Sequence, residues 1–276
     1  MPVVPPDPRL TGRWHRTLLV RPDGSSDGTT SVTWLQAGAY YVDLRVPADL
    51  RPRAVATLAQ PPLAGLPDAD LLALAAVEGF AGRVRADGEW TCWDRAVDLQ
   101  PPAAAPDEGL LEPQGAGLLE TGRHQHYIER WERRTGPDED FCAVELRDTA
   151  TGATAVLLRV GDDVAWARGR ATPLPPGGTL ADLVATGGPA AVAAAFDAEV
   201  ALGMVAPDGV VVRTASSLPF HVGLPLELVA DGAGLRSVDV APDGREVPRR
   251  WRVVATEGNP ALLPVRRHPT ALQESA

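Results

Sequence analysis

Two short runs of alternating residues place chemically capable side chains on single strand faces. They are Tyr41, Asp43 and Arg45 in the first run, and Tyr127, Glu129 and Trp131 in the second. Successive strand side chains point to opposite faces, so each run presents its three side chains together. If both faces point into one barrel, an arginine meets a carboxylate between aromatic walls, which suits a ligand with one polar or anionic end. The alternative is that these faces point outward, or form a structural Arg–carboxylate pair beneath a packed core.

Tryptophan is concentrated in the first half of the chain. Five of the seven tryptophans lie there, and indoles in a barrel either fill the core or wall a ligand. Trp14 shares a strand face with Arg16, which adds a second guanidinium to the candidate pocket. The predicted ligand-binding residues are therefore Trp14, Arg16, Trp34, Tyr41, Asp43, Arg45, Tyr127, Glu129 and Trp131.

Three other patterns resemble known functional motifs but do not meet the requirements of those motifs. His124 and His126 would share a strand face, yet no third metal ligand stands at motif spacing. His15 and His221 are formal candidates for an axial haem ligand. The segment 24–28 spells Gly-x-Ser-x-Gly, but it joins two predicted strands and not a strand to a helix. The sequence therefore predicts no metal, no cofactor and no assigned catalytic residue.

The elements that would position these residues are mostly short strands. Residues 29–46 form two β-branched and aromatic runs broken at Ala37-Gly38, the pattern of an antiparallel hairpin. Further strands are predicted at 10–20, 80–85, 89–99, two within 109–120, and one long strand at 123–133. One helix, capped by Asp68 and stopped by Gly79, is expected over 68–78. Seven or eight strands are enough to close a small barrel.

The second half repeats this layout. Strands are predicted at 141–147, 153–160 and 163–170, followed by a helix that opens at a Thr179 capping box, breaks at Gly187-Gly188 and restarts at Pro189. Strands resume at 199–205, 210–214, 224–230, 234–240 and 247–255. We predict a mainly β protein of two consecutive antiparallel barrels, 1–134 and 141–260, each with a short helical insertion, and a loosely ordered tail at 261–276. A single large β-sandwich is the alternative.

Several short motifs of the first half together resemble a known family. They are Trp93-Asp94, Asp107-Glu108-Gly109, Glu120-Thr-Gly and the strand Tyr127-Ile-Glu-Arg-Trp131. The chain resembles a small lipocalin-like family that includes a fungal protein named for interacting with a casein kinase. The resemblance implies two lipocalin-like barrels in tandem, of calycin type. It implies no chemistry, because fold analogy carries no site with it.

Charge and composition restrict the partners and the compartment. The 276 residues include 26 Lys and Arg against 36 Asp and Glu, a formal charge of -10. This excess disfavours attraction to nucleic acid or anionic membranes, so neither is predicted as a partner. The sequence has no signal-peptide pattern and no apolar run of about 18 residues, which predicts a soluble, cytoplasmic protein. Cys92 and Cys142 are then expected as buried free thiols.

The primary interpretation is a non-enzymatic protein that binds a small apolar or amphipathic molecule in its first barrel. A second interpretation is an enzyme of calycin architecture, an isomerase, cyclase or hydrolase using Asp43, Arg45, Tyr127 and Glu129 as acid and base. A third is an interaction scaffold, with packed barrels and no pocket, that docks a protein partner.

Overall fold

The described residues form two antiparallel sheets and three short α-helices. The computed structural model describes residues 4–50, 63–136, 139–232 and 234–266. The strands of the first sheet are β1 (Gly12–Val20), β2 (Ser26–Asp27), β3 (Ser31–Ala37), β4 (Tyr40–Val46), β5 (Glu78–Asp87), β6 (Trp90–Asp98), β7 (Glu108–Gln114), β8 (Gly117–Gly122) and β9 (Ile128–Arg133). Those of the second are β10 (Phe141–Asp148), β11 (Thr154–Val160), β12 (Asp163–Arg168), β13 (Glu199–Val205), β14 (Val211–Ser216), β15 (Val229–Asp231), β16 (Gly234–Val240) and β17 (Glu246–Gly258).

The first sheet closes into a barrel. Its order is β1-β3-β4-β5-β6-β7-β8-β9, and β9 pairs with β1 to complete the ring, with Arg16 opposite Trp131. The short strand β2 pairs only with the end of β1. Tight glycine turns join neighbouring strands, as at Gly38, whose φ of 58° suits a residue without a Cβ. This closure confirms the predicted barrel and excludes a single β-sandwich.

The second sheet curls but stays open within the described residues. Its order is β14-β13-β12-β11-β10-β17-β16-β15, and the end strands β14 and β15 do not pair with each other there. The concave face holds an apolar core that includes Val144, Leu157, Trp166 and Trp251. The second half is thus a half-barrel, and the mainly β prediction with two antiparallel halves is confirmed.

The outer face of the first barrel packs against the second sheet. Tyr40, Val42 and Leu44 on β4 are buried in one core with Val156 and Leu158 on β11. These three β4 residues form the apolar face of the hairpin recognised in the sequence. Its burial between the sheets leaves the other face of β4 pointing into the barrel.

Three short helices join this same core. They are α1 (Asp68–Ala75), α2 (Leu180–Thr186) and α3 (Pro189–Ala195). The predicted Thr179 capping box is present, and Pro189 opens α3 in its first turn. The predicted end of α1 at residue 78 is wrong, because Glu78 pairs with Arg45 at the start of β5. Pro67, and not Asp68, occupies the cap position of α1. Within the described residues, no helix has the length and apolarity needed to cross a bilayer.

Two predicted strands and the tail differ from the structure. The strand expected at 123–133 begins only at Ile128, since the backbone turns at His126, which has a φ of 52°. The strand expected at 224–230 is reduced to β15. In the predicted tail, Leu262 and Leu263 pack against the core of the second sheet, and residues 267–276 lie outside the described part of the chain.

Candidate functional site

The inner face of the first barrel carries the predicted ligand-binding residues in two layers. An aromatic layer fills the barrel interior, with Trp14, Trp34 and Trp131 buried. The Trp34 ring centroid lies 5.9 Å from that of Trp14 and 5.6 Å from that of Trp131, and Trp93 adds a further edge contact at 6.0 Å. These indoles pack on one another, so the aromatic layer is a packed core next to the polar groups.

A polar layer lies beside the indoles and brings together the arginines and carboxylates of the predicted set. Arg16 Nη1 donates to Glu129 Oε1 at 2.5 Å, and its Nη2 lies 3.3 Å from Asp27 Oδ2. Arg45 Nε donates to Asp43 Oδ1 at 2.9 Å, and its Nη1 lies 3.7 Å from the same Glu129 oxygen. Each guanidinium therefore already has two carboxylate partners.

Glu120 is the site residue that sequence reasoning missed. It accepts a hydrogen bond from Tyr127 Oη at 2.7 Å and one from Trp131 Nε1 at 3.0 Å. It also lies directly opposite Glu129 across the β8–β9 ladder. The sequence signal that could have identified Glu120 is the alternation of β8, in which Leu118 and Glu120 face the interior. Burial, reinforced by repulsion from Glu129, raises the pKa of Glu120 to about 8.

Two further buried groups have raised pKa values. Burial raises the pKa of the Asp43 carboxyl, although the Arg45 guanidinium opposes that shift. Burial also holds the pKa of the Tyr41 phenol well above its usual value. The low-dielectric interior thus favours neutral forms and makes any missing hydrogen bond costly.

Seven buried side-chain polar atoms have no hydrogen-bond partner among the described residues. The two in the first barrel are Tyr41 Oη and Glu129 Oε2, and the other five lie in the second half. Tyr41 is 0% exposed and Glu129 is 2% exposed, so neither residue has free access to bulk solvent. Buried polar groups in folded proteins are nearly always paired with protein, water or ligand, and leaving one unpaired costs about 1–3 kcal/mol.

Two spaces adjoin these groups. A void of about 10 Å³, room for one water molecule, lies among residues that include Tyr41, Glu120, Trp34 and Trp131. A much larger cleft of about 480 Å³ opens at the end of the barrel, and we call it the mouth cleft. The barrel contributes to its wall Arg16, Arg45, Tyr127 and Glu129, and the segment 101–106 contributes Pro101, Ala103, Ala105 and Pro106.

The nine predicted residues thus divide by position. Arg16, Arg45, Tyr127 and Glu129 border the mouth cleft. Asp43 and Tyr41 border the small void, as do Trp34 and Trp131. Trp14 borders neither space and supports the aromatic layer from behind.

The motifs that carry the family resemblance converge on this site. Trp93 belongs to the aromatic layer, and its backbone N–H donates to the Asp107 carbonyl at 2.9 Å. A Cβ at Gly122 would collide with the Tyr127 ring, and one at Gly109 would lie 3.0 Å from Glu120 Cγ. Both glycines are therefore needed for close packing around Glu120 and Tyr127.

Among the remaining candidate groups of the sequence, His124 borders the mouth cleft. His124 pairs with Glu108 at 3.0 Å on the rim, and His221 is buried beside Glu199 in the second half. Within the described ranges, no group of three His, Cys, Asp or Glu side chains is arranged to hold a metal ion. Cys92 and Cys142 are buried free thiols, as predicted.

Comparisons with known proteins bear on the fold. No family model and no curated protein matches this sequence. Among solved structures, the crystal structure of the uncharacterised protein YLR301w from Saccharomyces cerevisiae is similar, with a TM-score of 0.50 and 11% sequence identity. The match covers 89% of this chain and 98% of that chain. At that identity the likeness extends to the fold alone, so the chain shares a barrel-containing architecture with this yeast protein.

Proposed function

We propose that the protein binds a small amphipathic molecule at the mouth cleft of its first barrel, without transforming it. The observation that carries the proposal is Glu129, which borders an open space of about 480 Å³ and whose buried Oε2 has no hydrogen-bond partner among the described residues. A hydrogen-bonding ligand would satisfy this oxygen and remove its desolvation cost.

The two walls of the cleft suit an amphipathic ligand. The barrel wall is charged, whereas the wall from segment 101–106 is formed by proline and alanine. The cleft therefore offers polar groups on one side and apolar surface on the other, which matches the two ends of an amphipathic molecule. The aromatic layer behind the polar groups holds the barrel wall rigid, which limits the entropy lost on binding.

The proposal is tested by native mass spectrometry of freshly purified protein and of two tryptophan variants. Ala105→Trp places an indole in the mouth cleft, whereas Ala104 is an exposed neighbour that does not border it. We expect a stoichiometric small molecule on the unaltered protein and on Ala104→Trp, and its loss from Ala105→Trp. Equal occupancy in both variants would contradict the proposed location, and three ligand-free masses would favour an interaction scaffold.

One observation favours an enzyme as the second candidate. Glu120, with a pKa of about 8, holds its proton at neutral pH and contacts Tyr127, which borders the mouth cleft. A carboxylic acid kept neutral by burial can serve as a general acid. Turnover of a bound ligand that disappears in Glu120→Gln would support this alternative over simple binding.

A further inference from the structure

The charges around the mouth cleft indicate which polar group its ligand carries. We infer that this end is a cation, a primary ammonium group attached to an apolar body; the inference depends on the proposed binding function. Six carboxylate side chains border the cleft against four guanidinium groups. These carboxylates are Asp27, Glu78, Asp98, Asp107, Glu108 and Glu129.

The three arginines that line the depth of the cleft are already engaged. Arg16 and Arg45 have the carboxylate partners described above, and Arg95 donates to Asp98 at 2.9 Å and to Asp107 at 2.6 Å. Arg21 stands exposed at the rim. In the depth of the cleft, an anionic ligand would therefore have to displace an existing ion pair before it gained a partner.

A cationic ligand meets the opposite situation. Glu129 borders the cleft, and its buried Oε2 is an acceptor without a partner among the described residues. An ammonium group that reaches this oxygen would donate strong, charge-assisted hydrogen bonds to it. Because an ammonium carries three N–H donors and no acceptor, it matches a wall with unused acceptors.

The aromatic ring in the cleft already attracts cations. The guanidinium carbon of Arg95 lies 3.7 Å from the Phe80 ring centroid, and that of Arg45 lies 4.9 Å from it. A carboxylate is also paired with a basic side chain at the rim, where His124 Nε2 lies 3.0 Å from Glu108 Oε2. The raised pKa of Glu120, caused partly by repulsion from Glu129, is a further sign of excess negative charge inside the barrel.

Calorimetric titration with three ligands of equal chain length tests the inference. The ligands are octylammonium, octanol and octanoate at pH 7, which differ only in their polar end. We expect octylammonium to bind about tenfold more tightly than octanoate, with octanol between them. The ligand series on the unaltered protein already decides the question if the variants below do not fold.

A matched pair of variants locates the effect. Glu129→Gln removes the charge of a side chain that borders the cleft, and Glu132→Gln makes the same change on β9 at an exposed side chain that pairs with Arg134. We expect Glu129→Gln to weaken octylammonium binding about tenfold with little change for octanol, and Glu132→Gln to change neither.

The outcomes separate the two claims. Octanoate binding as tightly as octylammonium, or octylammonium binding unchanged in a folded Glu129→Gln variant, would overturn the ammonium preference and leave the binding function standing. Failure of all three ligands to bind, together with a ligand-free native mass, would overturn both.

Discussion

Glu120 in the first half and Glu199 in the second are both buried strand glutamates, yet their surroundings shift their pKa values in opposite directions. Glu120 faces Glu129 across the β8–β9 ladder, whereas Glu199 faces Arg168 across the β12–β13 ladder. Burial raises the pKa of Glu120 to about 8, and repulsion from Glu129 adds to the shift. Burial would also raise the pKa of Glu199, but the Arg213 guanidinium and other donors lower it to about 2.

Three donor side chains surround one carboxylate oxygen of Glu199 and form an ion-pair network, while its Oε2 has no hydrogen-bond partner among the described residues. Arg213 Nε lies 3.0 Å from Glu199 Oε1, His221 Nδ1 lies 2.8 Å from the same oxygen, and Ser216 Oγ donates to it at 2.9 Å. Glu199 is 0% exposed. Beside it, Arg168 Nε lies 3.1 Å from Asp239 Oδ2, a second buried ion pair.

The difference between the two regions lies in what the carboxylates face. Opposite charges across a ladder attract each other and lock the second half together, whereas like charges repel, and Glu120 keeps its proton. The acid-rich cluster is the one beside an open cleft, and that is where we place binding.

The largest expected effect on the free energy of unfolding comes from breaking the ion-pair network around Glu199. Glu199→Gln leaves Arg213 and His221 without their carboxylate, which should lower the free energy of unfolding by about 3–5 kcal/mol. In the unaltered protein this contribution is present above pH 4.5 and is lost as the pH falls towards 2. Urea denaturation at pH 7 measures the loss.

The control for this variant is an exposed pair in the same half. Glu227 lies 3.1 Å from Arg266, and both side chains are more than half exposed, so Glu227→Gln should cost less than about 1 kcal/mol. Equal losses in the two variants would mean that the Glu199 network is not structural.

The second-largest effect should be on the pH dependence of the free energy of unfolding, to which Glu120 and Glu199 contribute with opposite sign. Because the folded pKa of Glu120 lies above its unfolded value, the folded protein binds an extra proton between about pH 4.5 and 8. This one group should make unfolding easier by about 1.4 kcal/mol for each unit of pH rise in that window. Glu120→Gln should remove this slope and be more stable than the unaltered protein at pH 9.

Denaturant titrations at pH 5, 7 and 9 test this point, with Glu132→Gln as the exposed control. An unchanged slope in Glu120→Gln would mean that Glu120 is ionised in the folded protein at neutral pH. The like-charge description of the first barrel would then be wrong.

The smallest effect comes from one hydroxyl and has a neighbouring control. Tyr41→Phe removes an oxygen without a partner in the described structure, so the ligand-free protein should gain up to about 1 kcal/mol. Tyr40→Phe removes a hydroxyl that donates to Glu145 at 3.1 Å and should cost about 1 kcal/mol. Thermal unfolding of ligand-free protein compares them, and a loss of stability in Tyr41→Phe would indicate a water molecule bound to the Tyr41 hydroxyl.

Local features of both halves could be predicted from the sequence. The hairpin at 29–46, the capping box at Thr179 and the restart at Pro189 depend on residue types within a few positions, and all three are present. The meeting of Arg45 with Asp43 followed from strand alternation. The turn at His126 was missed because a non-glycine residue seldom adopts a positive φ.

The candidate site could be predicted only in part. The arginines and carboxylates on the inner face were identified, but the position of Glu120 opposite Glu129 was not. The segment 101–106, which carries none of the predicted site residues, also borders the mouth cleft. These placements depend on strand pairing and on loop paths that no short stretch of sequence specifies.

By itself the sequence determined which residues alternate along each strand, because that period is fixed by the backbone geometry of every residue. The tertiary structure decided which face of β4 turns inward and which strand partner each carboxylate meets. A shift of pairing by two residues leaves the alternation intact, so register is settled by packing between distant parts of the chain. The burial of Tyr40, Val42 and Leu44 against the second sheet is that packing, and it turns Asp43 and Arg45 into the barrel.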